Sequence, residues 1–109
     1  MLIRIFANSN TEDKAIQIYK KFIQATMLFI KDEKIDKVEP YWKYDDMYVI
    51  EANIILICDM ESKRFGDFLN KISDKWQFFG TPVDEVLASL NIDGCKYMID
   101  GIEMINIFK

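Results

Sequence analysis

The first third of the chain changes from a strand pattern to a helix pattern. Residues 2–7 are short, β-branched and aromatic, which predicts a strand. Ser9 and Glu12 have the spacing of a capping box and predict the start of a helix. Apolar positions then recur every three or four residues to about Ile30, at Ala15, Ile18, Tyr19, Phe22, Ile23, Thr26 and Ile30. Residues 31–37 are highly charged and are interpreted as a connector.

The middle of the chain predicts an antiparallel hairpin. Residues 38–44 and 47–58 read as strands around a turn at Asp45 and Asp46. Alternation in the second strand places one apolar set on a single face, namely Tyr48, Ile50, Ala52, Ile54 and Leu56. Pro40 lacks a backbone N–H, so the first strand is predicted at a sheet edge or a bulge.

The last third of the chain predicts two helices, a short strand and a hairpin. The first helix begins at Glu61 or Ser62 and has an apolar face made by Phe65, Phe68, Leu69, Ile72 and Trp76. Residues 77–79 predict the short strand. Thr81 and Pro82 are suited to cap and begin a brief helix over 83–90. The Asp-Gly dipeptide at 100–101 predicts a turn between strands 97–99 and 102–108.

These elements predict one α+β domain over residues 1–109. The order of strands and helices is that of a ferredoxin-like split β-α-β arrangement. Its antiparallel sheet is expected to carry helices on one face, followed by the short helix and the hairpin at the C-terminal end. No repeat or low-complexity linker interrupts this pattern.

The composition argues against most kinds of enzyme active site. The chain contains no His, which excludes serine and cysteine triads of the usual kind, imidazole-based zinc sites and the commonest general base. The two cysteines are 37 positions apart, and no Gly-rich phosphate loop is present. We therefore predict no enzyme activity, no catalytic residues, no cofactor and no bound metal.

Charge and hydropathy restrict the partners. The formal net charge is −4, which argues against a nucleic-acid ligand because phosphate binding needs a basic surface. The longest apolar run is 54–58, far shorter than the roughly 20 residues of a membrane-spanning helix, so no membrane partner is expected. No secretory signal is visible at the start of the sequence. The expected location is the cytoplasm.

Acidic residues are concentrated in the second half of the chain. Between Tyr44 and Ser62 there are five acids and no Lys or Arg, and between Gln77 and Cys95 there are three more acids without a base. Such acids are common in turns and helix caps. They are also suited to a protein-binding surface.

Aromatic residues cluster beside the first acidic segment. If 38–44 is a strand, Tyr41 and Trp42 point to opposite faces, so at least one aromatic pair must be partly exposed. Exposed Trp and Tyr are typical anchors of protein interfaces, although core packing is the alternative. The candidate partner-binding residues are Tyr41, Trp42, Tyr44, Asp45, Asp46, Tyr48, Glu51, Asp59 and Glu61.

Two segments, WKYDDMY at 42–48 and WQFFGTPVDEVLAS at 76–89, support a family resemblance. With the small size, the acidity and the order of elements, they resemble immunity proteins of bacterial contact-dependent inhibition and related polymorphic toxin systems. The resemblance implies a cytosolic protein that binds the toxin domain of its own system tightly and covers its active site or blocks substrate access. The expected oligomeric state is a monomer or a homodimer. Many such toxins are nucleases with basic surfaces, which an acidic face would complement.

Two other function classes remain open at this point. Small ferredoxin-like domains also pair into dimeric barrels that act as cofactor-free oxygenases or bind small molecules. Asn8, Asn53 and Trp76 would be candidates to line such a pocket. The remaining alternative is a regulatory or assembly subunit.

Overall fold

The computed structural model describes residues 1–109, and its strands form a single six-stranded sheet. The elements in chain order are β1 (Leu2–Asn8), α1 (Glu12–Thr26), β2 (Ile30–Pro40), β3 (Met47–Leu56), α2 (Lys63–Asn70), β4 (Gln77–Phe79), β5 (Glu85–Ser89) and β6 (Ile102–Phe108). The strand order is β2-β3-β1-β6-β5-β4, and every neighbouring pair is antiparallel. A short 3-10 turn, Met27–Phe29, separates α1 from β2.

Thr11, and not Ser9, caps the first helix. The Thr11 hydroxyl accepts a hydrogen bond from the backbone N–H of Lys14 at 3.2 Å, and Glu12 and Asp13 occupy the first turn. The Ser9 hydroxyl donates to the carbonyl of Thr11 and accepts from the Thr11 N–H. The Ser9 N–H donates to the carbonyl of Asp46 at 3.0 Å. The predicted capping box is therefore wrong, because Ser9 is held outside the helix.

The charged segment 31–37 is part of a strand, so its interpretation as a connector is wrong. It belongs to β2, which pairs with β3 through two register shifts and forms one edge of the sheet. Alternating charges are typical of edge strands, because they hinder pairing with another chain. The predicted strand 38–44 ends early, at Pro40, and residues 41–46 form a loop. The edge position predicted from Pro40 is confirmed.

The segment 83–90 is also a strand, and its prediction as a helix is wrong. Val83, Val86, Leu87 and Leu90 have helical spacing, but residues 85–89 form β5. Within it, Val86 and Ala88 face the core opposite Ile107 and Ile105 of β6. Backbone hydrogen bonds to β6 hold this segment as a strand, and the spacing of its own apolar residues cannot reveal that pairing.

The predicted C-terminal hairpin is wrong in one arm. Strand 102–108 is present as β6, and Gly101 has a φ of +94° in the turn that precedes it. Residues 97–99 do not pair with β6, whose neighbours are β1 and β5. Met98 makes only an isolated bridge to Ser73.

The core lies between one face of the sheet and both helices. From the sheet it contains alternate residues of the central strands, such as Ile3, Ile5, Ile50, Ile54, Ile105 and Ile107. From the helices it contains Phe22, Phe68 and Leu69, as predicted, and it also contains Ile72, which lies just beyond the end of α2. Ile23 of α1 and Leu56 of β3 are half-buried. The rings of Phe22 and Phe68 meet edge to face at 6.5 Å between α1 and α2. The opposite face of the sheet carries no helix, and we call it the uncovered face.

The α+β class and the antiparallel sheet agree with the sequence prediction. The predicted ferredoxin-like split β-α-β arrangement is not confirmed. The sheet has six strands, in an order that differs from that of a four-stranded ferredoxin-like sheet. The difference arises at one edge, where β5 and β4 extend the sheet beyond β6. The predicted short third helix is absent.

Candidate functional site

Residues 41–46 connect the first hairpin and form a loop at one end of the sheet; we call this segment the β2–β3 loop. The N–H of Tyr41 donates to the carbonyl of Met47 at 2.8 Å and closes the base of the loop. Asp46 has a φ of 58°, a conformation that Asp and Asn tolerate better than most residues. The loop is anchored to the chain before α1 by the hydrogen bond between Ser9 and Asp46.

The three aromatic side chains of the loop have different environments. Tyr41 is half-buried, and its ring meets Phe6 of the uncovered face edge to face at 5.1 Å. Tyr44 is 54% exposed and Trp42 is 86% exposed, and each ring lies 5.9 Å from that of Tyr41. The expectation that an aromatic pair is exposed is confirmed for Trp42 and Tyr44, although they lie in a loop and not in a strand.

The predicted partner-binding residues divide into separate places. Tyr41, Trp42, Tyr44, Asp45 and Asp46 lie together in the β2–β3 loop. Asp59 and Glu61 follow the opposite end of β3, which has ten residues and therefore spans roughly 33 Å.

The remaining two candidates, Tyr48 and Glu51, contact other parts of the protein. Tyr48 is half-buried and packs against the core. Glu51 lies on the uncovered face, where its carboxylate contacts Arg4 at 2.8 Å and Lys37 at 3.9 Å. Tyr48 also lines a cavity with Tyr44, Asp45 and Asp46 of the β2–β3 loop.

A groove of about 470 Å³ lies between the β2–β3 loop and the uncovered face. Its walls include the rings of Phe6, Tyr41 and Tyr44. Asn8 and Glu103 form its polar side, with the Asn8 amide donating to the Glu103 carboxylate at 3.1 Å. Of the two exposed aromatic side chains of the loop, Tyr44 thus borders this concave, partly polar surface, whereas Trp42 lies outside it.

Lys43 of the same loop also lines this groove. Its ammonium lies 5.6 Å from the centre of the Tyr44 ring, within the range of a cation–π contact. The two exposed carboxylates that follow in the loop, Asp45 and Asp46, line an adjoining cavity with Tyr41 and Tyr44.

Sequence reasoning missed most of the groove. Asn8 was a pocket candidate, but Asn53 contacts Asp36 on the uncovered face and does not lie with it. Trp76 donates its indole N–H to the carbonyls of Leu69 and Ser73 at 3.1 Å, away from Asn8. No local signal identifies Glu103, because its proximity to Asn8 depends on the pairing of β1 with β6.

Three ionisable groups elsewhere in the molecule have shifted pKa values. Burial, followed by a hydrogen bond to Glu33, raises the pKa of the Tyr19 hydroxyl. Backbone hydrogen bonds, first from Lys96 and then from Tyr97, lower the pKa of Asp74. Burial and the charge of Asp74 raise the pKa of Tyr97. Each of these groups contributes to local structure.

The structure brings no three Cys, Asp or Glu side chains together as a possible metal site. None of its helices combines the length and the apolar character that crossing a membrane requires. Both cysteines are free.

No protein-family model matches this chain, and neither the curated proteins nor the solved structures provide a significant match. The assignment of a function therefore depends on the chemistry of the β2–β3 loop and its groove.

Proposed function

We propose that this protein is an immunity protein that binds and neutralises the toxin domain of its own contact-dependent inhibition system. The observation that carries the proposal is the 86% exposure of Trp42 beside Tyr44 in the β2–β3 loop. Large aromatic side chains are unfavourable in water when they stand free, and they are the most frequent anchors of protein interfaces. The protein acts in the cytoplasm as a binding partner and catalyses no reaction.

Charge supports a basic partner. The loop contains Asp45 and Asp46 beside the aromatic anchors, and the whole chain has a net charge of −4. Acidic residues at the edge of an interface accelerate association with a basic protein and fix its orientation. A toxin domain with a basic substrate-binding surface, such as a nuclease domain, fits these properties, whereas a nucleic acid does not.

We further propose that the sheet has a ferredoxin-like core to which one hairpin has been added. β3 lies between β1 and β2, and β1 lies between β3 and β6, with a helix in each of the two connections that cross the sheet. The β4–β5 hairpin then extends the sheet at the β6 edge.

The first experiment removes the aromatic anchor. Trp42→Ala should weaken binding to the toxin domain encoded by the adjacent gene by about 30-fold, equivalent to about 2 kcal/mol, as measured by calorimetry or surface binding. Leu28→Ala is the control, because Leu28 is 79% exposed and lies outside the loop. Equal binding by both variants, with unchanged thermal stability, would exclude Trp42 as an anchor.

The second experiment reverses the charge of the loop. Asp45→Lys combined with Asp46→Lys should slow association with the toxin domain, and the effect should shrink as salt increases, because screening weakens interactions between exposed charges. Glu61→Lys is the control at the far end of β3. If the loop variant binds like the wild type at low and high salt, this loop is not the interface. The acidic segment 84–93 is then the next candidate.

A small-molecule-binding homodimer is the second candidate function, and the uncovered face favours it. Ile55 and Phe79 on that face are 54% and 45% exposed. Sheet-to-sheet pairing of two copies would cover them. Sedimentation of the purified protein tests this alternative, which requires twice the 12.9 kDa monomer mass in the absence of any toxin. A monomeric mass excludes it, whereas a dimeric mass is compatible with both functions.

A further inference from the structure

The groove beside the β2–β3 loop combines aromatic walls with an unneutralised carboxylate. Its volume of about 470 Å³ falls within the roughly 300–1,000 Å³ of typical ligand sites. The rings of Phe6, Tyr41 and Tyr44 stand along it at centre-to-centre distances of 5.1 Å and 5.9 Å. Glu103 accepts a hydrogen bond from Asn8, and none of the five ion pairs of the protein includes it. The groove therefore offers a negative charge and π faces together.

The position of Lys43 indicates that the Tyr44 ring accepts a positively charged group. Its ammonium lies over the Tyr44 ring at 5.6 Å, so one face of the groove already holds a cation from the loop itself. Lys43 is exposed and makes none of the ion pairs of the protein. A cation from another molecule can replace it without breaking a salt bridge.

We propose that this groove binds a guanidinium group, the side chain of an arginine that the partner presents; this step rests on the proposed function. A guanidinium is planar, stacks on aromatic rings and donates several hydrogen bonds in a fork. The Glu103 carboxylate can accept two of these bonds, and the carbonyl oxygen of Asn8 is a further acceptor. Asp45 and Asp46 line a neighbouring cavity that shares Tyr41 and Tyr44 with the groove, and they add negative charge near it.

The binding test uses a ligand and needs no toxin. N-acetyl-L-arginine amide is titrated into the intact protein, and the methyl signals of Met47 and Met104, which line the groove, are followed by NMR. N-acetyl-L-citrulline amide is the matched control, because it has nearly the same shape without the charge. We expect the arginine ligand to bind at about millimolar concentration and the citrulline ligand at least about 10-fold more weakly. Equal affinities, or shifts confined to other parts of the protein, would overturn the proposal.

Variants of the two charged groups should change this affinity in opposite directions. Glu103→Gln should weaken arginine binding by at least about 10-fold, since it replaces charge-assisted hydrogen bonds by neutral ones. Lys43→Gln should strengthen it by about 2- to 5-fold, because it removes the competing cation over the Tyr44 ring. Asp67→Asn, an exposed change on α2 with the same loss of charge, should leave it unchanged. An unchanged affinity in Glu103→Gln or a weakened one in Lys43→Gln contradicts the proposal.

The outcomes separate this inference from the proposed function. If a toxin domain binds the wild type and the Glu103→Gln variant equally well, the immunity function stands and the guanidinium site is wrong. If the arginine ligand binds as expected and no toxin domain binds, the guanidinium site stands and the immunity function is wrong.

Discussion

At the scale of single residues, burial determines what a side chain contributes. Leu69 of α2 is 3% exposed, whereas Leu28 is 79% exposed, although each is next to a Phe in the sequence. Leu69→Ala should therefore lower the free energy of unfolding by roughly 2–5 kcal/mol, through lost transfer energy and a cavity. Leu28→Ala should change it by less than about 0.5 kcal/mol. Denaturant unfolding measures both, and a loss below about 1 kcal/mol for Leu69 would contradict the packing described for α2.

Two glycines should respond in opposite ways to the same substitution. Gly66 is exposed within α2, and a Cβ atom there would meet nothing within 4 Å, so close packing does not explain this glycine. Gly66→Ala should stabilise the protein by about 0.5–1 kcal/mol, because alanine is the better helix former.

Gly101 presents the opposite case. Its φ is +94°, and a Cβ atom there would lie 2.7 Å from the side chain of Ile18. Gly101→Ala should destabilise the protein by more than about 1 kcal/mol, since it combines an unfavourable backbone conformation with a clash against α1. Thermal unfolding of both variants checks the pair. Equal shifts in the midpoint would show that the turn before β6 is not arranged as described.

At the scale of elements, Asp74, which lies between α2 and β4, holds the segment between β5 and β6. Its carboxylate accepts hydrogen bonds from the N–H groups of Lys96 at 3.0 Å and Tyr97 at 3.2 Å, and these bonds lower the pKa of Asp74. A carboxyl group with a lowered pKa in the folded state stabilises that state above its ordinary pKa. The contribution disappears as the pH falls through the lowered value.

The expected result is a pH-dependent change in this segment alone. Below about pH 4, the amide NMR signals of Lys96 and Tyr97 should move together as Asp74 becomes protonated. Asp74→Asn should abolish this transition, while Asp67→Asn on α2 should preserve it. Signals that titrate equally in both variants would show that another group controls the segment.

At the scale of the whole molecule, the composition leaves little catalytic chemistry. The chain has no His, and the structure assembles no cluster of potential metal ligands. We expect the purified protein to show no turnover in hydrolase and oxygenase screens and no stoichiometric zinc or iron in elemental analysis. Turnover that follows the protein through purification, and disappears with a groove substitution such as Tyr44→Leu, would favour the small-molecule alternative.

The sequence alone determined the elements whose pattern is local. In β3, alternation predicted that Ile50, Ala52 and Ile54 face the core, and in α2 the helical spacing predicted the buried positions Phe68 and Leu69. These predictions succeeded because the period of each backbone conformation places apolar residues on one face, whatever lies opposite. The exposed aromatic pair could be anticipated for the same reason.

Only the tertiary structure decided the elements and contacts that depend on distant partners. Residues 31–37 became part of a strand because β3 offers hydrogen bonds along that edge, and 85–89 became β5 because β6 pairs with it. The groove depends on the hydrogen bond between Asn8 and Glu103, which are 95 positions apart. Strand pairing is a relation between segments, so no pattern within either segment reveals it.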